Sequence, residues 1–343
     1  MFSISPKNSS NNDLKYKNKG IIAGGLMASS FLASSSTATQ AINKYMKQIS
    51  TPMKDEYKEL NRAARKGLKI SGLYQKGVKI HKIQQITSPN KHKTLTFAKK
   101  DEKAISAIVY EAANNKVIKL ISKFDKTQGK NITENWVTGF TESWYKTVKL
   151  GLTAGYLPNA NKIILPSKSH QTAVFHEMGH ALNNNNEMFL KYLQKCRLMT
   201  SVLPVFILLT ALLNKRKTTD STNKHDSKIQ KSADFIKRNA GKLTAFSIAP
   251  KILEESIASI KGEGIAKKLV NEGILSKEMF KKVKLANLCG FSTYLLSFCA
   301  TIIAFKLAIY VKDKIQEQYE ERQTIKYILK DEEIANILKK YNT

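Results

Sequence analysis

The chain has 343 residues, enough for one large or two modest domains with a full core. Its 57 Lys and Arg against 27 Asp and Glu give a formal net charge of +30. The excess is mostly lysine spread along the chain. It reads first as solvated surface, next as attraction to anionic lipid headgroups, and last as nucleic-acid binding. Arginine is scarce in the densest basic region, Lys54–Lys103, and no aromatic stacking platform accompanies it. Three cysteines, Cys196, Cys289 and Cys299, form an odd set without zinc-like spacing and argue against a disulfide framework.

Residues 1–19 are rich in Ser, Asn and Lys and are expected to be disordered. Ile21–Ala33, preceded by Lys15, Lys17 and Lys19, has the pattern of a weak signal h-region, with Ser36-Thr37-Ala38 as an acceptable cleavage site. A cleaved signal, a retained anchor and a plain tail all fit it. Residues 40–87 read as basic helices, Ala41–Ile49 and Met53–Lys66, with a less regular stretch to Ile86 in which basic and apolar residues alternate. Thr87–Lys100 is a connection. Glu102–Phe124 places Ile105, Ile108, Val109, Ala112, Val117, Leu120 and Ile121 at helical spacing. After a loop at Thr127–Asn135, the residues Trp136, Phe140, Trp144 and Tyr145 form a helical aromatic stripe, expected in the core. Two short apolar runs, Leu150–Leu157 and Ile163–Leu165, flank the turn Tyr156-Leu157-Pro158-Asn159-Ala160-Asn161 and read as a strand pair.

The most informative feature follows: His176-Glu177-Met178-Gly179-His180. On an α-helix, positions i and i+4 share a face, so both imidazoles reach one metal ion. The intervening glutamate then lies beside whatever water completes the shell. Apolar flanks predict a buried helix. Ser167 or Ser169 would cap its start, and the asparagines Asn183–Asn186 are expected to end it soon after His180. His170 is expected on the surface at the helix start, and His225 in a polar linker.

A strand pair leading into this pentad resembles the zincin class of zinc metallopeptidases. The metzincin branch needs Gly and His where this chain has Asn183 and Asn186, so the resemblance is to the gluzincins, in which a Glu on a later helix is the third ligand. Glu255-x-x-Ala258, within Pro250–Ser259, looks like that second-helix motif, with Glu254 as the alternative ligand. The Asp that usually follows the ligand by four residues and supports a histidine is Ser259 here. The resemblance implies Zn²⁺ held by His176, His180 and Glu255, with Glu177 as catalytic base acting on a protein or peptide substrate, and a further His, Tyr or Arg to stabilise the oxyanion. Two other classes stay open: a noncatalytic membrane-associated scaffold keeping a degenerate zincin core, and a basic nucleic-acid-binding protein.

Downstream, Leu198–Leu213 is apolar but short and contains Pro204. Gly262-Glu263-Gly264 is expected to break the Glu255 helix. Ser276 would cap a long helix carrying Leu285–Phe305, 21 residues without a charge and long enough to cross a bilayer. Val311–Tyr341 is a charged amphipathic helix. A single crossing by Leu198–Leu213 would put Glu255 on the opposite side of the membrane from the histidines. That segment is therefore expected to be embedded or re-entrant, or to pack against Leu285–Phe305. If both apolar runs crossed, the carboxylates Glu317, Glu320, Glu321, Glu332 and Glu333 would return to the pentad side, although they read as a solvated helix. The expected architecture is mainly α with a small antiparallel β element: a zincin-like core plus one or two hydrophobic membrane helices. The regions would be an N-terminal tail or anchor (1–45), a basic helical region (46–147), the metal-site core including 198–213 (148–262), and a membrane helix with a charged helix (263–343). Membrane lipid is an expected partner and the location membrane-associated.

Overall fold

A computed structural model describes residues 7–86, 97–115, 118–119, 122–123, 132–195, 199–214 and 228–341. His225, most of the Thr87–Lys100 connection, and Val117, Leu120 and Ile121 lie outside the described residues. The protein is mainly helical. Its elements are α1 (Lys7–Ser50), α2 (Lys54–Ile70), β1 (Lys79–Ile83), α3 (Glu102–Ala113), α4 (Ile132–Lys149), β2 (Gly155–Leu157), β3 (Lys162–Pro166), α5 (Ala173–Asn186), α6 (Met188–Lys195), α7 (Met199–Leu213), α8 (Lys228–Arg238), α9 (Ala240–Asn271) and α10 (Lys277–Tyr341). Two compact units result. The first comprises Met1–Thr37, Ser201–Ile248 and Leu296–Thr343, and the second Ala38–Thr200 and Ala249–Leu295.

The second unit is built on a three-stranded sheet with β3 at its centre. β2 pairs with β3 antiparallel, as the turn between them dictates, and β1 pairs with β3 in parallel. The expected β element is thus mixed rather than purely antiparallel. β1 falls where a helical continuation is expected; its Ile80 and Ile83, three residues apart, pack on opposite faces of the sheet, Ile80 in the cluster of α5 and Ile83 in that of α3 and α4. Alternation along β3 sends Ile163 and Leu165 to one face and Ile164 to the other. The first face packs with Val174, Phe175 and Met178 of α5, with α2, and with Ile265 and Leu269 of α9. The second packs with Ala104, Ala107 and Ile108 of α3 and with Tyr145 and Val148 of α4. Of the aromatic stripe, Tyr145 is buried, Phe140 and Trp144 are half-buried, and Trp136 is exposed.

Two local departures have clear causes. Asn183–Asn186 remain helical because their amides find partners: Asn184 donates to the Tyr156 hydroxyl (2.9 Å) and Asn185 to the Ala181 carbonyl (2.8 Å). Neither expected serine cap forms. Ser167 and Ser169 are engaged with Gln85, and α5 starts after Thr172.

Gly262 does not break α9. A Cβ at Gly262 would lie 2.3 Å from the Phe175 carbonyl oxygen, and one at Gly179 would lie 1.9 Å from that of Ala258. These two glycines are where α5 and α9 touch backbone to backbone. Ser276 does cap α10, accepting the Met279 N–H at 3.1 Å.

In the first unit, α1 runs as a helix from Lys7 where a disordered tail is expected. Gly20, Gly24 and Ala28 lie along one face of it, and a Cβ at Gly24 would lie 2.5 Å from the Ala308 carbonyl oxygen of α10. Leu208 and Leu212 of α7 join this cluster with Ala304, Phe305 and Ala308, so the short apolar helix packs against the C-terminal end of the long apolar run and beyond it. Small residues at four-residue spacing are how helices approach closely in apolar surroundings. α1 and α10 are both long and apolar enough to cross a membrane.

His170 is buried (3% exposed) rather than on the surface, in a left-handed conformation with φ of 52°. Burial first, and then the nearby Lys47 charge, push its imidazole down from 6.5 to about 4. The unfolded chain therefore takes up a proton that the folded chain refuses between those values. The stability this group contributes is present above pH 6.5 and is lost as pH falls toward 4. His170→Asn tolerates the same backbone and is expected to flatten the fall in melting temperature over that window; an unchanged fall would clear the imidazole. The helix crossing makes a second prediction. Gly179→Ala is expected to cost about 1–3 kcal/mol or more through overpacking. Gly264→Ala, on the same α9 but facing open space, is expected to be neutral or stabilising by up to about 1 kcal/mol. Melting curves of the two variants check this, and equal effects would refute it.

Candidate metal centre

α5 sets His176 and His180 one turn apart with their rings edge to face, centroids 4.5 Å apart and planes at 87°. Their Nε2 atoms are 2.9 Å apart. Oε2 of Glu255, carried across from α9, lies 3.2 Å from Nε2 of His176 and 3.4 Å from Nε2 of His180. A point equidistant from the three atoms is about 1.8 Å from each, near the length of Zn–N and Zn–O bonds, about 2.0–2.2 Å. The sides of the triangle also match the edge of a zinc tetrahedron, about 3.3 Å for bonds of that length. Among the described residues these three form the cluster able to hold a metal ion.

Hydrogen bonds on the far side of each ring set what faces this point. Nδ1 of His180 donates to Oε1 of Glu254 at 2.8 Å, because a carboxylate oxygen can only accept there. In the neutral ring this leaves the lone pair on Nε2, the tautomer that binds a metal. The same Oε1 accepts from Asn183 Nδ2 (3.0 Å) and Gln194 Nε2 (2.9 Å), and Glu254 is 0% exposed. Both amides turn their NH₂ groups to this oxygen and leave their own carbonyl oxygens without hydrogen-bond partners. Gln194 also donates to the His180 carbonyl at 2.9 Å, tying α6 to the pentad. Nδ1 of His176 lies 3.0 Å from Ser259 Oγ, which can serve either tautomer. With Nδ1 donating, two imidazole lone pairs and a carboxylate oxygen converge with no donor among them, a set of like acceptors suited to a cation.

Glu177 is buried, and among the described residues its carboxylate has no hydrogen-bond or ion-pair partner. Lys261 pairs with Glu187 at 2.5 Å, outside the cluster. Glu317 pairs with Lys314 at 2.8 Å, and neither it nor Glu320, Glu321, Glu332 or Glu333 joins the metal-competent cluster. Tyr156 donates to Asn161 at 2.6 Å, and His170 bonds the Gly151 backbone.

The structure therefore brings His176, His180 and Glu255 together and gives Glu254 a different place from the alternative ligand considered in the sequence. Glu254 supplies the negative charge behind a histidine that Ser259 does not, and it does so at the other ring. Asn183 and Gln194 carry no motif and escape sequence reasoning.

Against known proteins, no family model, no curated protein and no solved structure matches this chain.

Glu254→Gln keeps the shape and removes the charged acceptor behind His180. It is expected to lower zinc affinity by roughly 10–100-fold, measured by competition with a chromophoric chelator. Unchanged affinity in a folded variant would reject the role given to Glu254.

Proposed function

We propose that this protein is a zinc-dependent metallopeptidase of gluzincin type acting at or near a membrane. The observation that carries the reading is the triangle of His176, His180 and Glu255 at zinc-bond dimensions, with Glu177, next to His176 in the chain, buried and without a partner among the described residues. The donor set suits Zn²⁺: two imidazole nitrogens, one carboxylate oxygen and a fourth position left for water. Bound Zn²⁺ supplies Lewis acidity, lowering the pKa of a coordinated water toward neutrality and polarising the scissile carbonyl.

The chain's own residues account for the rest. His176, His180 and Glu255 would hold the ion. Glu254 and Ser259 orient the two rings. Glu177 takes the proton of the attacking water and delivers it to the leaving amine, the general-base and general-acid roles its position next to His176 suits. Peptide-bond hydrolysis is favoured over other hydrolyses by the resemblance of the pentad and of Glu255-x-x-Ala258 to the zincin motifs. Membrane location is supported by the two apolar helices α1 and α10 and by a lysine-rich surface that attracts anionic headgroups.

The full chain is expected to take up one zinc ion per molecule. Glu177→Gln should retain it while losing hydrolysis of a peptide library by roughly 10²–10⁴-fold. Elemental analysis and mass-spectrometric cleavage assays read both. Equal cleavage by Glu177→Gln would remove Glu177 as base, and no zinc uptake by the parent chain would remove the enzyme reading.

A further inference from the structure

α9 and the first four turns of α10 flank a groove of about 600 Å³ on the side of Ser259. Its lining is ordered along one face of α10. Lys281 and Lys284 stand at one end, and Leu285, Leu288 and Phe291 follow. The opposite wall is Ser256, Ser259 and Ile260 of α9. Ile260 is 69% exposed and Leu288 61%, so large apolar surface lies open in the groove. Neither Lys281 nor Lys284 has an ion-pair partner among the described residues. The one carboxylate in the lining, Glu263, accepts from Asn287 at 3.2 Å.

The two ends differ in chemistry as the two ends of a phospholipid do. Lys281 to Phe291 spans about 15 Å of helix, half the thickness of a bilayer's hydrocarbon core. The lysines precede the uncharged run Leu285–Phe305, so they stand at headgroup level and the apolar lining at acyl-chain level when that run crosses a membrane.

We propose that this groove is a binding site for one anionic phospholipid, its phosphate between Lys281 and Lys284 and an acyl chain along Leu285, Leu288, Phe291 and Ile260. The inference rests on the membrane location proposed above and not on the peptidase activity. Charge complementarity selects the occupant. Two unpaired cations at the rim favour a phosphodiester with net negative charge over a zwitterionic headgroup, and the apolar floor favours hydrocarbon over a polar peptide. Ser259 belongs both to the groove wall and to the support of His176, so an acyl chain seated there covers the outer side of that histidine and keeps water from it.

The test uses the full chain in detergent, with phosphatidylglycerol and phosphatidylcholine of identical chains as probes and native mass spectrometry as readout. One phosphatidylglycerol per chain is expected, held roughly 10–30-fold tighter than phosphatidylcholine. Lys281→Gln with Lys284→Gln should erase that preference. Lys267→Gln with Lys268→Gln, the same charge change at exposed positions on α9, should keep it. Ser256→Phe, which fills the groove and leaves its charge intact, should weaken both lipids. Equal loss in the two lysine pairs would assign the binding to net charge and overturn the site. So would equal affinity for the two lipids, or displacement of phosphatidylglycerol by an acidic apolar peptide, which would give the groove to a peptide. Carbonate extraction of membranes separates the two levels. Release of the chain as soluble protein sinks the membrane location itself, whereas an extraction-resistant chain without headgroup preference sinks only the lipid site.

Discussion

The candidate centre depends on how closely α5 approaches α9. Oε2 of Glu255 on α9 meets the two imidazoles of α5 at 3.2 and 3.4 Å, and the backbones of these helices nearly touch. They do so at two points, Gly179 against Ala258 and Gly262 against Phe175. Each glycine costs its helix up to about 1 kcal/mol relative to alanine. The apolar packing of Phe175 and Met178 against Ile265 and Leu269 offsets that cost. A Cβ at either point would force the two backbones apart, and with them Glu255 and the histidines they carry.

Adjacent residues on α9 then take different parts toward one ring. Successive side chains on a helix diverge by about 100°, so Glu255 meets Nε2 of His180 while Glu254 meets its Nδ1. Buried carboxylates are costly unless partnered, and the two solve this in opposite ways. Three N–H donors from His180, Asn183 and Gln194 satisfy Glu254. Glu255 instead lies against Nε2 of both histidines, at 3.2 and 3.4 Å. Environment, not residue type, separates support from ligand.

Much of this was legible in the sequence, and the failures share a cause. The helix of the pentad, the strand pair, the Ser276 cap and the helix of the apolar run in α10 are local patterns, set by spacing within one element, and the structure has them. Glu255 was singled out by the likeness of Glu255-x-x-Ala258 to a known motif, and it lies with the two histidines. Asn183–Asn186 and Gly262 were misread as helix ends because their local preference is for turns, while their actual role is set by partners far along the chain: Glu254 and Tyr156 for the asparagines, Phe175 for the glycine. His170 was misplaced for the same reason, since nothing nearby in sequence announces burial beside Lys47. In β1 no two-residue period shows, because Ile80 and Ile83 serve opposite faces of the sheet, and five residues in a lysine-rich stretch do not declare a strand until β3 pairs with them.

The same helix crossing bears on topology. Met178 of the pentad shares its core cluster with Met279 and Val283 at the start of α10. Asn287, two residues into the uncharged run, donates to Glu263 on the helix that carries Glu255. The metal-competent triangle thus sits level with the point where that run begins. A bilayer crossed by Leu285–Phe305 would begin beside the site, with the histidines and Glu255 on one side of it. A crossing by α7 alone, between the pentad and Glu255 in the chain, would have parted the ligands. α7 is short, carries Pro204 and packs against Ala304 and Phe305, which keeps it with the apolar run of α10.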